Sequence, residues 1–139
     1  FIDPDDYISK DYFKALVAGL NSINGDVSVA FFGTVDQFGR EATLENALDF
    51  TLKRRYANTA MLNNSEVLKA LCNNLFSCTS WGKVFNRNLW GDARFPVGID
   101  LGEDMMIVPT IIAKAKAAIY IPEAIYYYRQ REKSLLRLL

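Results

Sequence analysis

The chain opens Phe1-Ile2-Asp3-Pro4-Asp5-Asp6, two apolar residues running into three carboxylates, and this stretch constrains everything after it. An apolar pair followed by acids reads as the exposed end of a buried strand, the place where open α/β sheets put their ligands. Carboxylates at i and i+2 crowd negative charge that a hard cation such as Mg²⁺ or Mn²⁺ would relieve. No Gly or Lys stands beside them to build a phosphate loop. A solvated acidic turn with a helix cap accounts for the same residues.

The pattern downstream alternates helix and strand. Ser9 is placed as an N-cap with Asp11 in the first turn, and Phe13, Leu16, Val17 and Leu20 recur at i, i+3, i+4 and i+7. Asn24-Gly25 supplies a stop, so a helix is predicted over 10–22. Val27 to Phe32 is β-branched and aromatic, a strand. A turn at Gln37-Phe38-Gly39-Arg40 and a short strand at 41–43 follow. A second helix on Leu44, Ala47, Leu48 and Leu52 ends in the basic cluster Lys53-Arg54-Arg55, which suits a last helical turn. Asn63-Asn64-Ser65-Glu66 opens a third helix with Val67, Leu68, Leu71 and Leu75 on one face. A short strand is expected near Lys83-Val84-Phe85, one helical turn over 86–90, and irregular chain at Arg94-Phe95-Pro96-Val97-Gly98. Ala117 to Ile121 and Ala124 to Tyr128 read as two strands joined at Pro122-Glu123. The fold class is α/β, a mixed sheet with flanking helices.

At 139 residues the chain is one domain with enough length to bury a core. Sixteen Lys plus Arg balance sixteen Asp plus Glu, which gives no reason to expect nucleic acid as a partner. There is no His, which removes Ser-His-Asp and Cys-His nucleophile schemes and most zinc sites. Cys72 and Cys78 have neither metal nor redox spacing and read as free, mostly buried thiols of a reducing compartment. No stretch approaches the length of a membrane span. The first residue is not Met, which suggests a piece of something longer.

A second acidic focus is Gly102-Glu103-Asp104-Met105-Met106, at the start of an apolar helix running to about Lys116. The helix N-terminus favours both carboxylates in their ionised form, and Pro109 should distort the helix if it lies deep within it. If the two foci share a cleft, one can hold a metal while the other works as a base. Arg129 and Arg131 would then supply positive charge to a diphosphate leaving group. Solvated helix caps explain Glu103-Asp104 equally well.

The order of these motifs resembles the second half of a glycosyltransferase family 2 domain. The resemblance rests on Phe1-Ile2-Asp3-Pro4-Asp5-Asp6-Tyr7-Ile8-Ser9, Ser80-Trp81-Gly82-Lys83-Val84-Phe85, Arg94-Phe95-Pro96-Val97-Gly98-Ile99 with Gly102-Glu103-Asp104-Met105-Met106, and Ile121-Pro122-Glu123-Ala124-Ile125-Tyr126-Tyr127-Tyr128-Arg129-Gln130-Arg131-Glu132-Lys133-Ser134-Leu135. It covers nearly the whole chain and implies the C-terminal part of a GT-A nucleotide-diphospho-sugar transferase fold with inverting sugar transfer. On that resemblance Asp3 and Asp5 are the D-x-D that holds a divalent metal, Mg²⁺ or Mn²⁺. Asp6 matches the adjacent acid. Asp104 is the general base that takes the proton of an acceptor hydroxyl, and Glu103 orients it. Trp81 and Lys83 fall on the acceptor side, where an indole can stack on a sugar; packing and a surface lysine are the plain alternative. Arg129 and Arg131 match a basic segment beside the donor, but without the Q-x-x-R-W pattern of processive synthases, which implies transfer of a single sugar.

The implied partners are a nucleotide-sugar donor, UDP-sugar above all, and a glycan or lipid-linked acceptor, with a cytoplasmic setting at or near the inner membrane face. The family's nucleotide-binding first half does not precede Phe1. The expectation is therefore a single truncated domain over 1–139 that binds donor poorly and turns over little, with an incomplete sheet whose exposed edge invites self-association. Two rivals share the acids. A haloacid dehalogenase-like Mg²⁺ phosphotransferase also runs an apolar strand into D-x-D, though Gly-Thr would normally stand where Asp6-Tyr7 does. A non-catalytic glycan-binding remnant would use the acids only as caps.

Overall fold

A computed structural model describes residues 1–35, 58–73, 77–99 and 101–129. Its strands are β1 (Tyr7–Ile8), β2 (Val27–Val35), β3 (Ala60–Asn63), β4 (Lys83–Phe85) and β5 (Ala117–Arg129). The helices are α1 (Tyr12–Ser22), α2 (Asn64–Cys72) and α3 (Glu103–Ile112), with a 3₁₀ turn at Arg87–Leu89. The sheet runs β1-β5-β2-β4, with β3 also on β5. It is the mixed α/β sheet with flanking helices expected from the sequence, consistent with part of a GT-A-like fold.

Strand β5 is the axis of the molecule. It runs parallel to β2, and its other edge is shared by β3, opposite 117–120, and β1, opposite Tyr126 and Tyr127. Ala118 and Tyr120 pack with Val67 and Ala70 of α2 and Ile107, Val108, Ile111 and Ile112 of α3. Ile119 and Ile121 face the opposite layer, where α1 contributes Tyr12 and Leu16. Period-2 alternation thus feeds two cores from one strand. Burying each large aliphatic side chain contributes about 1.5–3 kcal/mol relative to leaving it in water.

The two runs expected at 117–121 and 124–128 are one strand with a shift of register. Ala30 pairs Ile121, and the next residue, Phe31, pairs Ile125. Pro122, Glu123 and Ala124 are looped out at that point, where Pro122 has no N–H to give to a ladder. Ser9 was expected to cap α1, but Asp11 holds the N-cap position and makes no side-chain cap bond. Ser9 instead joins β1 to β5: its N–H donates to the Ile125 carbonyl at 2.8 Å and its hydroxyl accepts from the Ile125 N–H at 3.1 Å.

The buried face of α1 is Tyr12, Leu16 and Gly19, while Phe13 and Val17, expected inside, are exposed. The helix is rotated because Gly19 sits tight on β5; a Cβ there would lie 2.7 Å from Ile121 Cδ1. At its end the left-handed residue is Asn24 (φ 47°), whose neighbour Gly25 donates its N–H to Leu20 O at 3.0 Å. Helix α2 begins as the sequence suggests. Asn63 accepts from the Glu66 N–H, and Glu66 accepts from the Asn63 N–H, a reciprocal capping box. Strand β3 just before it was not anticipated.

Three further expectations change. Phe1 and Ile2 form no strand and are exposed; Phe1 instead meets Trp90 and Phe95 at centroid distances of 5.1 and 5.4 Å. Helix α3 ends at Ile112 rather than near Lys116, with Pro109 in its interior. Both cysteines are free, but Cys72 is exposed and Cys78 half-buried. Among the described residues the sheet ends on β4 at one side and on β1 and β3 at the other, and no helix is long and apolar enough to cross a membrane. The expected turn, strand, helix and basic cluster over 37–55, the side chain of Leu75, and Arg131 with the rest of the basic tail lie outside the described residues.

Candidate active site

The acids of the opening stretch sit in a turn closed by the Asp6 N–H donating to Asp3 O at 3.1 Å. Asp6 is tied to β5 on both carboxylate oxygens. Oδ2 accepts from the Tyr126 hydroxyl at 2.7 Å, and Oδ1 accepts from the Arg129 N–H at 2.8 Å. The same Tyr126 hydroxyl accepts from the Asp3 N–H at 3.1 Å. Tyr126 is wholly buried, so one hydroxyl clamps both ends of the acidic turn. Burial and the neighbouring Asp6 and Asp3 charges push its own pKa up, which keeps it a neutral donor.

Glu103 and Asp104 occupy the first turn of α3, entered through Gly102 at φ 82°. That left-handed turn suits glycine, and the helix N-terminus favours acids. Asp104 is fixed by one outside partner, the Ser80 N–H, which donates to its Oδ2 at 3.1 Å. The charges of the second focus reach the first. The Asp3 pKa is raised, first by burial, then by the charges of Asp6 and Asp5, and then by those of Asp104 and Glu103. Asp6 is raised mainly by burial, against the lowering effect of the Arg129 N–H and the Tyr126 hydroxyl.

This crowding fits a cation. Among the described residues no group of three or more carboxylates or thiolates converges to hold a metal unaided. Mg²⁺ does not need such a cage, since it is commonly held by one or two carboxylates, waters and substrate phosphates. Asp3 and Asp5 are the residues of that kind here. Asp6 is committed to Tyr126 and β5, so its visible work is to hold the turn.

The remaining candidates sit differently from expectation. Trp81 is only 9% exposed and lies parallel to Tyr126 (centroids 4.8 Å apart, 12°) and Tyr128 (5.6 Å, 15°). Lys83 is not a surface lysine: it is 4% exposed, and its amine donates to Thr79 O at 2.9 Å and Trp81 O at 3.4 Å. Arg129 stacks over the Tyr7 ring at 4.4 Å and donates to the Tyr7 hydroxyl. Its Nε has no hydrogen-bond partner among the described residues. The residue that sequence reasoning missed is Tyr126. Nothing local marks it among three consecutive tyrosines; only its place on β5 selects it.

An open cleft of about 500 Å³ is lined by Phe1, Phe13, Phe85 and Trp90 together with Lys83, Arg87 and Arg94.

No protein-family model matches the chain. It is similar to the protein of Streptococcus pneumoniae serotype 4 named "Glycosyltransferase GlyA", with 25% identity over 140 residues. The match covers 99% of this chain and 19% of that protein. The chain therefore spans about a fifth of the length of that curated relative, and the similarity supports a relationship to a glycosyltransferase.

Proposed function

We propose that this chain carries the catalytic corner of a glycosyltransferase of the GT-A type, family 2. It transfers one sugar from a nucleotide-diphospho-sugar, a UDP-sugar first among them, to a hydroxyl of a glycan or lipid-linked acceptor. One observation supports the reading: the Tyr126 hydroxyl that holds the turn of Asp3 and Asp6 belongs to a ring stacked on Trp81, and the residue before Trp81, Ser80, gives its N–H to Asp104.

Asp3 and Asp5 would hold Mg²⁺ or Mn²⁺, which when bound supplies charge neutralisation for the donor's diphosphate. Asp104, oriented by the Ser80 N–H, accepts the proton of the acceptor hydroxyl as that oxygen attacks the anomeric carbon from the face opposite the leaving group. The carbon–oxygen bond to the diphosphate breaks as the new glycosidic bond forms, so the anomeric configuration inverts. Glu103 lies beside Asp104 on the same turn and orients the acceptor. Arg129, whose charge acts on Asp6, brings positive charge to the acidic turn.

The test is Asp104→Asn in the enzyme that carries this segment. Turnover should fall by roughly 10²–10⁴-fold, the usual worth of a positioned base, with donor affinity unchanged. Unchanged turnover would sink the assignment and leave a glycan-binding role. Trapping of a phosphorylated Asp3 would instead point to phosphoryl transfer.

A further inference from the structure

We propose that Tyr126 and Trp81 form a spacer that positions the two acidic foci against each other. The proposal rests on the reading of Asp3 and Asp104 as metal ligand and base, and adds residues that touch neither substrate nor metal.

The path is continuous and short. The Tyr126 hydroxyl holds the Asp3 N–H at 3.1 Å and the Asp6 carboxylate at 2.7 Å, fixing the turn that presents Asp3 and Asp5. The ring of Tyr126 lies parallel to the indole of Trp81, with centroids 4.8 Å apart. The residue directly before Trp81 is Ser80, whose N–H holds Asp104 Oδ2 at 3.1 Å. One stacked pair of buried aromatic rings therefore stands between the carboxylate turn and the base. Gly82, at φ 73°, turns the chain directly after the indole. Stacked aromatic rings are stiff and have few rotatable bonds, so they transmit position better than aliphatic contacts do. Neither ring is free to serve as an exposed platform, since Tyr126 is wholly buried and Trp81 nearly so. Both are positioning residues. The clamp acts together with the Arg129 N–H on Asp6.

The experiment uses the chain with Mn²⁺ as the probe, free Mn²⁺ being followed by electron paramagnetic resonance. Tyr126→Phe keeps the stack and loses the hydroxyl. Manganese affinity should fall about 10-fold, the lower range for groups that orient metal ligands, with little change in melting temperature. A merely structural role would lower the melting temperature and leave the affinity of the folded protein alone. Trp81→Leu should weaken Mn²⁺ similarly, and Trp81→Phe should restore most of it. Equal affinity in wild type and Tyr126→Phe overturns the proposal.

Asp3→Asn separates the two ideas. If it leaves Mn²⁺ binding unchanged, or if the wild type binds none, the metal reading falls, and the spacer is then judged by amide exchange alone. Faster exchange at the Asp3 amide in Trp81→Leu supports it. Exchange at Asp3 unchanged in Trp81→Leu, or in Tyr126→Phe where the former fails to fold, overturns it.

Discussion

The two acidic segments are built in opposite ways. Glu103 and Asp104 take their place from their own helix: a left-handed glycine starts α3, and a single outside N–H, from Ser80, finishes the orientation. Asp3 to Asp6 have no helix or strand of their own, and β5 holds the turn through the Tyr126 hydroxyl and the Arg129 N–H. The difference teaches which changes are chemical and which are architectural. A carboxylate on a helix end can be neutralised with its surroundings intact. A carboxylate in a turn held by a distant strand is partly a fastener, and its loss is felt by the fold.

Asp104→Asn should give the largest effect on either side of that comparison, the 10²–10⁴-fold loss of turnover stated above, with the unfolding midpoint nearly unmoved. A large loss of stability would show that α3 is not self-sufficient. Next comes the metal. Asp3→Asn or Asp5→Asn should weaken Mn²⁺ by more than about 100-fold, beyond the range for groups that only orient ligands; calorimetric titration reads this directly. Asp6→Ala should act as an architectural change. Removing the acceptor of the Tyr126 hydroxyl and the Arg129 N–H should cost about 1–3 kcal/mol in denaturant unfolding. If Asp6→Ala unfolds like the wild type, the turn is not held from β5.

The smallest effect has the opposite sign. Asp3 and Asp6 have folded-state pKa values raised above 3.8, chiefly by burial, so the folded chain holds these protons more tightly than the unfolded chain does. The stability from that source is complete below pH 3.8 and is lost as pH rises through the raised values. Asp3→Asn, which fixes the neutral form, should therefore raise the melting temperature slightly at pH 7 in metal-free buffer. The gain should vanish as the pH drops below 3.8. A lower melting temperature at pH 7 would mean that the Asp3 carboxylate is itself a fastener.

The parts legible in the sequence were those with local causes. The capping box of Asn63 and Glu66, the stop at Asn24, and the β-branched start of β2 depend on residues within a few positions of one another. The acids were legible as chemistry because charges of one sign at i and i+2 need a reason. What was not legible depends on partners far along the chain. Ser9 looks like a cap and is a strand fastener because Ile125 is its neighbour only in space. Tyr12 and Phe13 are adjacent aromatics, and a helical stripe can be drawn through either; the close seat of Gly19 on Ile121 decides for Tyr12. Lys83 reads as surface until Thr79 O and Trp81 O are found to surround its amine.

The looped-out residues of β5 settle which way the site faces. Before the loop, the odd-numbered Ile119 and Ile121 point to the layer of α1; after it, the even-numbered Tyr126 and Tyr128 do. An insertion of odd length exchanges the parity of a strand, as a half-turn exchanges the faces of a ribbon. The residues in between stand outside the ladder, so the face of Tyr126 is set where pairing resumes, Ile125 with Phe31 and Tyr126 with Phe32. A strand end that builds a core and a strand end that aims a site are thereby held by the same neighbour, β2.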